Sequence, residues 1–333
     1  LLTLGGTCLG YGLWIFAGSF WILVLSRIIG GIASGNLSVA TASIADVTSR
    51  KDRSKGMAIV GIAFGLGFVL GPALGGYASS WDWSANSESA LALTPFSLAA
   101  LISFCLALVN WTWLAMRFRE TLPADKRGEG NEQPRPAIFQ IKRVANPAVR
   151  RTCLSYLCYM VSFSGMEFTL TFLAVERYLY EPRDITSMFL LIGFTLIFAQ
   201  GFFVRRFVGK IGEKNMALQG IFLGFFAFIM LALPSSEIWF FFALFLMSCG
   251  VAFISPTLTA LTSLHSSEKD QGFNLGIFRS SGSIARACGP MLAGLTYFLF
   301  GSTFAYTIGA FLLLIPFLIL LKVPKPARDE PAE

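Results

Sequence analysis

The sequence has little charge, a single histidine and no paired cysteines, and each shortage removes a class of function. Charged residues make up 14% of 333, where a soluble domain carries about a quarter. With 55% hydrophobic residues and a mean hydropathy of +0.65, a water-soluble fold has no means of covering the apolar surface, so the solvent is lipid. His265, alone of its kind, leaves neither a histidine metal site nor a histidine base beside a nucleophile. Cys8, Cys105, Cys153, Cys158, Cys249 and Cys288 include no C-x-x-C pair and fall in or near apolar runs. They are expected as small buried hydrophobes, not as metal ligands or disulfides. No P-loop or Rossmann fingerprint is visible, and the apolar runs hold no paired carboxylates facing a nucleophile. The expectation is no cofactor, no metal and no enzyme activity.

What is present is a series of ten apolar segments of spanning or near-spanning length, at 1–19, 21–45, 56–79, 92–115, 153–175, 186–204, 216–233, 238–262, 271–298 and 302–321. They predict an all-α membrane protein that crosses the bilayer repeatedly. Leu1 is not a methionine and the first segment has no loop before it, so the chain reads as a fragment of a longer protein. The net charge of +7 does not point to nucleic acid, because its distribution follows topology. All but five of the 26 basic residues lie in alternate loops and the C-terminal tail. The opposite loops hold only Arg177 and Arg183, and Arg27, Arg279 and Arg286 lie within spans. This asymmetry assigns the basic side, with the C-terminus, to the cytoplasm of a plasma or inner membrane.

A hydrophilic stretch from Arg117 to Arg151, with Pro123, Gly128, Gly130, Pro134, Pro136 and Pro147, reads as a cytoplasmic linker. Within it Ile138-Phe139-Gln140-Ile141 has the pattern of a short amphipathic helix. The expected organisation is a four-helix bundle over 1–116, a linker over 117–151, a six-helix bundle over 152–322 and a tail over 323–333. The halves echo each other. Gly56 leads into Gly71-Pro72, and Gly272 leads into Gly289-Pro290, each in the penultimate span of its half. Parallel six-helix halves are a transporter plan, and on that plan the first half lacks two leading helices.

Gly67, Gly71 and Gly75 recur every four residues within Gly67-Phe68-Val69-Leu70-Gly71-Pro72-Ala73-Leu74-Gly75-Gly76. Such a stripe admits a close helix neighbour, and Pro72 predicts a bend. This segment resembles the fifth-helix motif of the drug:proton antiporters of the major facilitator superfamily, with Ala58 where the family carries an earlier glycine. Leu23, Arg27 and Gly31 resemble its fourth-helix motif, with Gly30 in place of the usual glutamine. Gly201-Phe202-Phe203-Val204-Arg205-Arg206-Phe207-Val208-Gly209-Lys210 resembles the degenerate second copy of its cytoplasmic loop motif, without the acidic residue. Ser26–Ile32, Gly56–Pro72, Phe163–Leu170 and Leu275–Gly282 look closer still to the tetracycline-transporter-like branch. The resemblance covers the whole chain as helices three to twelve of two six-helix bundles. It implies secondary transport by alternating access, in a monomer that exports drug-like molecules or organic ions in exchange for protons. An organic anion uniporter or symporter is the alternative, and a non-transporting receptor-like protein the alternative from another class.

Charges at bilayer depth are costly and usually face a cavity or a partner, which selects the candidate site. Glu167 is the carboxylate deepest in any span, on a face with Ser164 and Thr171. A carboxyl whose charge depends on which side is open couples protons to solute; the bland alternative is a structural ion pair. Arg279 and Arg286, seven apart, share a helix face and are expected to pair with Glu167 or to contact an anionic solute. Arg27 begins a stripe of Gly31, Ser34, Ser38 and Thr41 that either lines a polar path or packs against a neighbour. Asp46 is expected, from the resemblance, to clamp the first copy of the cytoplasmic loop motif, which on that resemblance lies just before Leu1; otherwise it is a solvated helix end.

Overall fold

The structure, a computed structural model, describes residues 1–49, 52–79, 81, 91–118, 141–234, 236–267 and 270–326. The helices are α1 (Leu2–Ile15), α2 (Phe20–Ile32), α3 (Asn36–Val47), α4 (Arg53–Ser79), α5 (Ser97–Arg117), α6 (Pro147–Tyr178), α7 (Pro182–Phe198), α8 (Arg205–Ile211), α9 (Glu213–Ala232), α10 (Glu237–Leu264), α11 (Gln271–Phe300), α12 (Ser302–Leu312) and α13 (Leu314–Leu321). Among the described residues the β structure is one isolated bridge, Ala17 to Leu91. Among the described residues, seven helical segments are long and apolar enough to cross a membrane: α5, α6, Asp184–Ile211, α9, α10, α11 and Ser302–Leu321. On α5 only 6% of the apolar window is buried, which fits a helix solvated by lipid rather than by water.

The helix ends follow from local chemistry. Asn146 caps α6, its Oδ1 accepting from the Ala148 N–H at 2.9 Å, and Pro147 at the first position needs no N–H partner. The Asn146 amide also donates to His265 O at 2.6 Å, tying the start of α6 to the end of α10. Glu181 and Asp184 form a capping box on α7. At the far end of α6, Arg177 donates to three consecutive carbonyls, Leu231 at 2.8 Å, Ala232 at 3.1 Å and Leu233 at 3.0 Å, and to Ser302 Oγ at 3.1 Å. It satisfies the carbonyls that α9 leaves unpaired at its C-terminus. Nearby, Tyr180 is buried against Phe240 and donates to Glu237 at 2.6 Å. Burial, then the Glu237 carboxylate, push its phenol above the ordinary tyrosine range.

Three spans differ from the sequence reading. The segment over 1–19 forms only the 14-residue α1, which is not among the seven of membrane-crossing length. The segment over 21–45 is two helices, broken at 33–35, where Gly30, Gly31 and Gly35 crowd the poorest helix formers short of proline. The segment over 186–204 continues to Ile211 through a π-helical stretch, Ala199–Val204. The extra backbone residue there shifts the helix face, and Gln200 Oε1 is buried in it without a hydrogen bond among the described residues. The short amphipathic element expected at 138–141 lies outside the described residues except for Ile141, which begins a 3-10 turn, Ile141–Arg143.

The chain divides into two compact units, one of residues 1–43 and 70–129, the other of 44–69 and 130–333. In the first, α1 packs on α2 and α5, with the Ser97 hydroxyl donating to Ile15 O at 2.6 Å. In the second, α6 and α11 form the most extensive seam, α9 and α10 the next. The second unit also holds the end of α3 and the first half of α4. Ala58, at the position where the resemblance expects glycine, is fully buried with Val204, Val208 and Met216.

Candidate functional site

The α6–α11 seam is built on glycine. A Cβ at Gly165 would stand 3.0 Å from Gly289 O, and one at Gly289 would stand 2.6 Å from Val161 O. The helices meet backbone to backbone, and Ser164 donates across the seam to Ala285 O at 3.1 Å. Such contacts are how helices hold together where lipid removes the usual hydrophobic drive. Pro290 follows Gly289 inside an unbroken α11.

That register places polar couplings along the seam. Towards one end, Tyr156 stacks on Phe278 with centroids 3.9 Å apart, and Arg279 lies against Tyr156. In the middle, Arg286 Nη1 donates to Glu167 Oε2 at 3.2 Å. At the other end, the Tyr297 hydroxyl donates to Glu176. The central pair is not sealed: the Arg286 side chain is 50% exposed and that of Glu167 30%. Charges so placed near the middle of spanning helices require water or a polar solute, since hydrocarbon does not solvate them.

Of the other candidates, Arg279 does not reach Glu167. Its Nε is buried without a hydrogen bond among the described residues, and its guanidinium carbon lies 5.7 Å from the Phe278 ring centre. Arg27 finds aromatic partners, 4.3 Å from the Trp14 ring centre and 5.7 Å from that of Tyr11. The face expected to run from Arg27 through Gly31, Ser34, Ser38 and Thr41 is interrupted by the break after α2. Ser34 sits in that break, donating to Gly31 O at 2.7 Å, and the Ser38 side chain lies outside the described residues. Asp46 is exposed in the last turn of α3. Cβ atoms at Gly67, Gly71 and Gly75 would meet no described atom within 4 Å, and the side-chain surroundings at Pro72 and Gly76 lie outside the described residues. The close approach on α4 falls instead at Gly65, whose Cβ would stand 3.2 Å from Gly193 O on α7. The spacing Gly61-x-x-x-Gly65 carries that signal in the sequence. Of the six cysteines, Cys8 and Cys153 are buried, Cys105 and Cys288 exposed, and all are free.

A second contact missed in the sequence reading joins α4 to α10. Arg53 Nη1 donates to Ser263 Oγ at 3.0 Å in a buried setting. One turn on, Met57 is 2% exposed and packs against Leu275.

Membrane-spanning helices seamed on glycine, with an accessible ion pair at mid-span, define a multi-pass carrier of small solutes. The chain belongs to the Major Facilitator Superfamily, whose family model matches residues 1–269 and 201–333; it is a transporter and not an enzyme. A mouse protein, Major facilitator superfamily domain-containing protein 10, is 32% identical over 358 residues, covering 100% of this chain and 74% of the mouse protein. The class B tetracycline resistance protein of Escherichia coli is 28% identical over 301 residues, covering 89% of this chain and 71% of that protein. The crystal structure of the human organic anion transporter MFSD10 (TETRAN) matches with a TM-score of 0.83 at 31% identity, over 96% of this chain and 75% of that one.

Proposed function

We propose that this transporter is a proton-coupled antiporter that exports amphipathic drug-like or organic-ion solutes by alternating access. The observation that carries the reading is the Glu167–Arg286 pair. A carboxylate held by one hydrogen bond from a half-exposed arginine exchanges that partner for a proton or for a polar group of the solute. Proton and solute then compete for Glu167, and competition at one site is what antiport needs. The names of two relatives, one an organic anion transporter and one a tetracycline resistance protein, support the solute class. On this reading the arginine-rich loops and the C-terminus face the cytoplasm of a plasma or inner membrane. The protein works as a monomer of two bundles, 1–116 and 152–322, joined by 117–151. The two Gly-Pro segments, Gly67 to Gly76 and Gly289-Pro290, and Asp46 serve its conformational change.

A second reading rests on Arg279 and Arg286. Arg279 has an unpartnered Nε and Arg286 half its side chain open. An anionic solute on Arg286 would leave Glu167 to take a proton, and the two would travel together as symport, or the anion alone as uniport. Counterflow in proteoliposomes separates these, with tetracycline and fluorescein as probe solutes. Antiport predicts solute uptake driven by an interior-acidic pH gradient and symport uptake driven by an interior-alkaline one, either response being lost in Glu167→Gln. Flux indifferent to the gradient, with Glu167→Gln fully active, removes proton coupling at this residue.

A further inference from the structure

Lys210 in the last turn of α8, Gly212, Lys214 and Asn215 at the start of α9, and Lys325 with Pro326 beyond α13 line a polar cavity of about 310 Å³. Three lysines line one space. Lys214 spends one donor on Leu321 O at 2.8 Å, which leaves it two. Lys210 and Lys325 make no hydrogen bond or ion pair among the described residues. The acid in the lining, Glu213, is 7% exposed and has an interaction of its own, so the open wall is basic. No side chain caps the N-terminus of α9 in the same cavity, which adds the positive end of a helix dipole.

We infer that this cavity binds the phosphate of an anionic headgroup. Three clustered lysines suit a phosphate as point charges, without the planar geometry that a carboxylate-binding arginine would impose. The neighbouring surface suits a lipid as its bearer. Directly beside the cavity, α13 exposes Leu314, Leu318 and Leu321, three and four residues apart on one apolar face. A phospholipid fits both features at once, with its phosphate among the lysines and a chain along α13. Basic pockets at helix ends are a known mode of anionic lipid recognition. Nothing in this inference depends on the transported solute or on proton coupling.

The test is thermal stability of the purified protein in detergent, titrated with dioleoyl-phosphatidylglycerol, dioleoyl-phosphatidylcholine or inorganic phosphate. Phosphatidylglycerol is expected to raise Tm and phosphatidylcholine to leave it unchanged. The double variant Lys210→Gln/Lys325→Gln, which breaks no described bond, should keep its basal Tm and need about tenfold more phosphatidylglycerol for the same shift. Lys210→Arg/Lys325→Arg should respond as the wild type does. If inorganic phosphate reproduces the shift, the phosphate site stands and its bearer is soluble. Equal stabilisation by phosphatidylcholine, an undiminished response in the glutamine variant, or no shift with any phosphate overturns the inference.

Discussion

Arg286 on α11 meets Glu167 on α6 at 3.2 Å while half of the arginine remains open. Those facts together separate function from stability. An ion pair this accessible contributes about 0–1 kcal/mol to folding, so its presence is not explained by holding the helices together; the glycine seam does that. Glu167→Gln and Arg286→Gln should therefore lower Tm by no more than a few degrees, while gradient-driven transport is lost. A large loss of Tm in both variants would show the pair to be structural.

The glycine contacts predict opposite outcomes for two substitutions of the same kind. Gly289→Ala places a methyl 2.6 Å from Val161 O and should cost about 1–3 kcal/mol by overpacking. Gly71→Ala meets no described atom within 4 Å and should be neutral or stabilising by up to about 1 kcal/mol through helix propensity. If Gly71→Ala then impairs transport, the stripe it belongs to packs in a conformation other than this one. Thermal denaturation beside counterflow reads both effects.

Arg177 is a clamp. It joins the end of α6 to three carbonyls of α9 and to Ser302 at the start of α12. Arg177→Ala should destabilise the protein by about 2 kcal/mol, the range for hydrogen bonds to a charged group. Arg177→Lys should restore only part of that, since a point charge does not span three acceptors as a guanidinium fork does. Protease resistance of the segment from α6 to α13 and Tm report the loss.

The Arg53–Ser263 bond at 3.0 Å closes α4 onto α10. Alternating access requires closed contacts of this kind to open. In a cysteine-free background, Met57→Cys should react slowly with a thiol reagent because Met57 is 2% exposed. Adding Arg53→Ala should speed that reaction several-fold. An unchanged rate would mean that the bond does not govern access at this end.

The membrane class and the helix order were legible in the sequence, because repeated apolar runs of about 20 residues match the thickness of a bilayer and suit no water-soluble fold. Glu167 was legible too, since a carboxylate deep in an apolar run is anomalous by itself. What stayed hidden was geometry decided by register. Arg279 and Arg286 were equivalent candidates by spacing, yet the seam gives Glu167 to Arg286 and sets Arg279 against Tyr156. The stripe at Gly67, Gly71 and Gly75 outweighed Gly65 by its regularity, although Gly65 makes the contact. Arg53 and Arg177 read as topology signals because nothing local distinguishes a loop arginine from one that bonds a distant helix end. The break at 33–35 was hidden by hydrophobicity that runs through it.

The central claim, that solute and proton compete at Glu167, is tested most directly by the pH inside proteoliposomes loaded with a trapped pH dye. Adding solute outside to the wild-type protein should make the lumen more alkaline as protons leave against entering solute, with no such change in Glu167→Gln. A lumen that acidifies as solute enters would show the two moving together and contradict antiport.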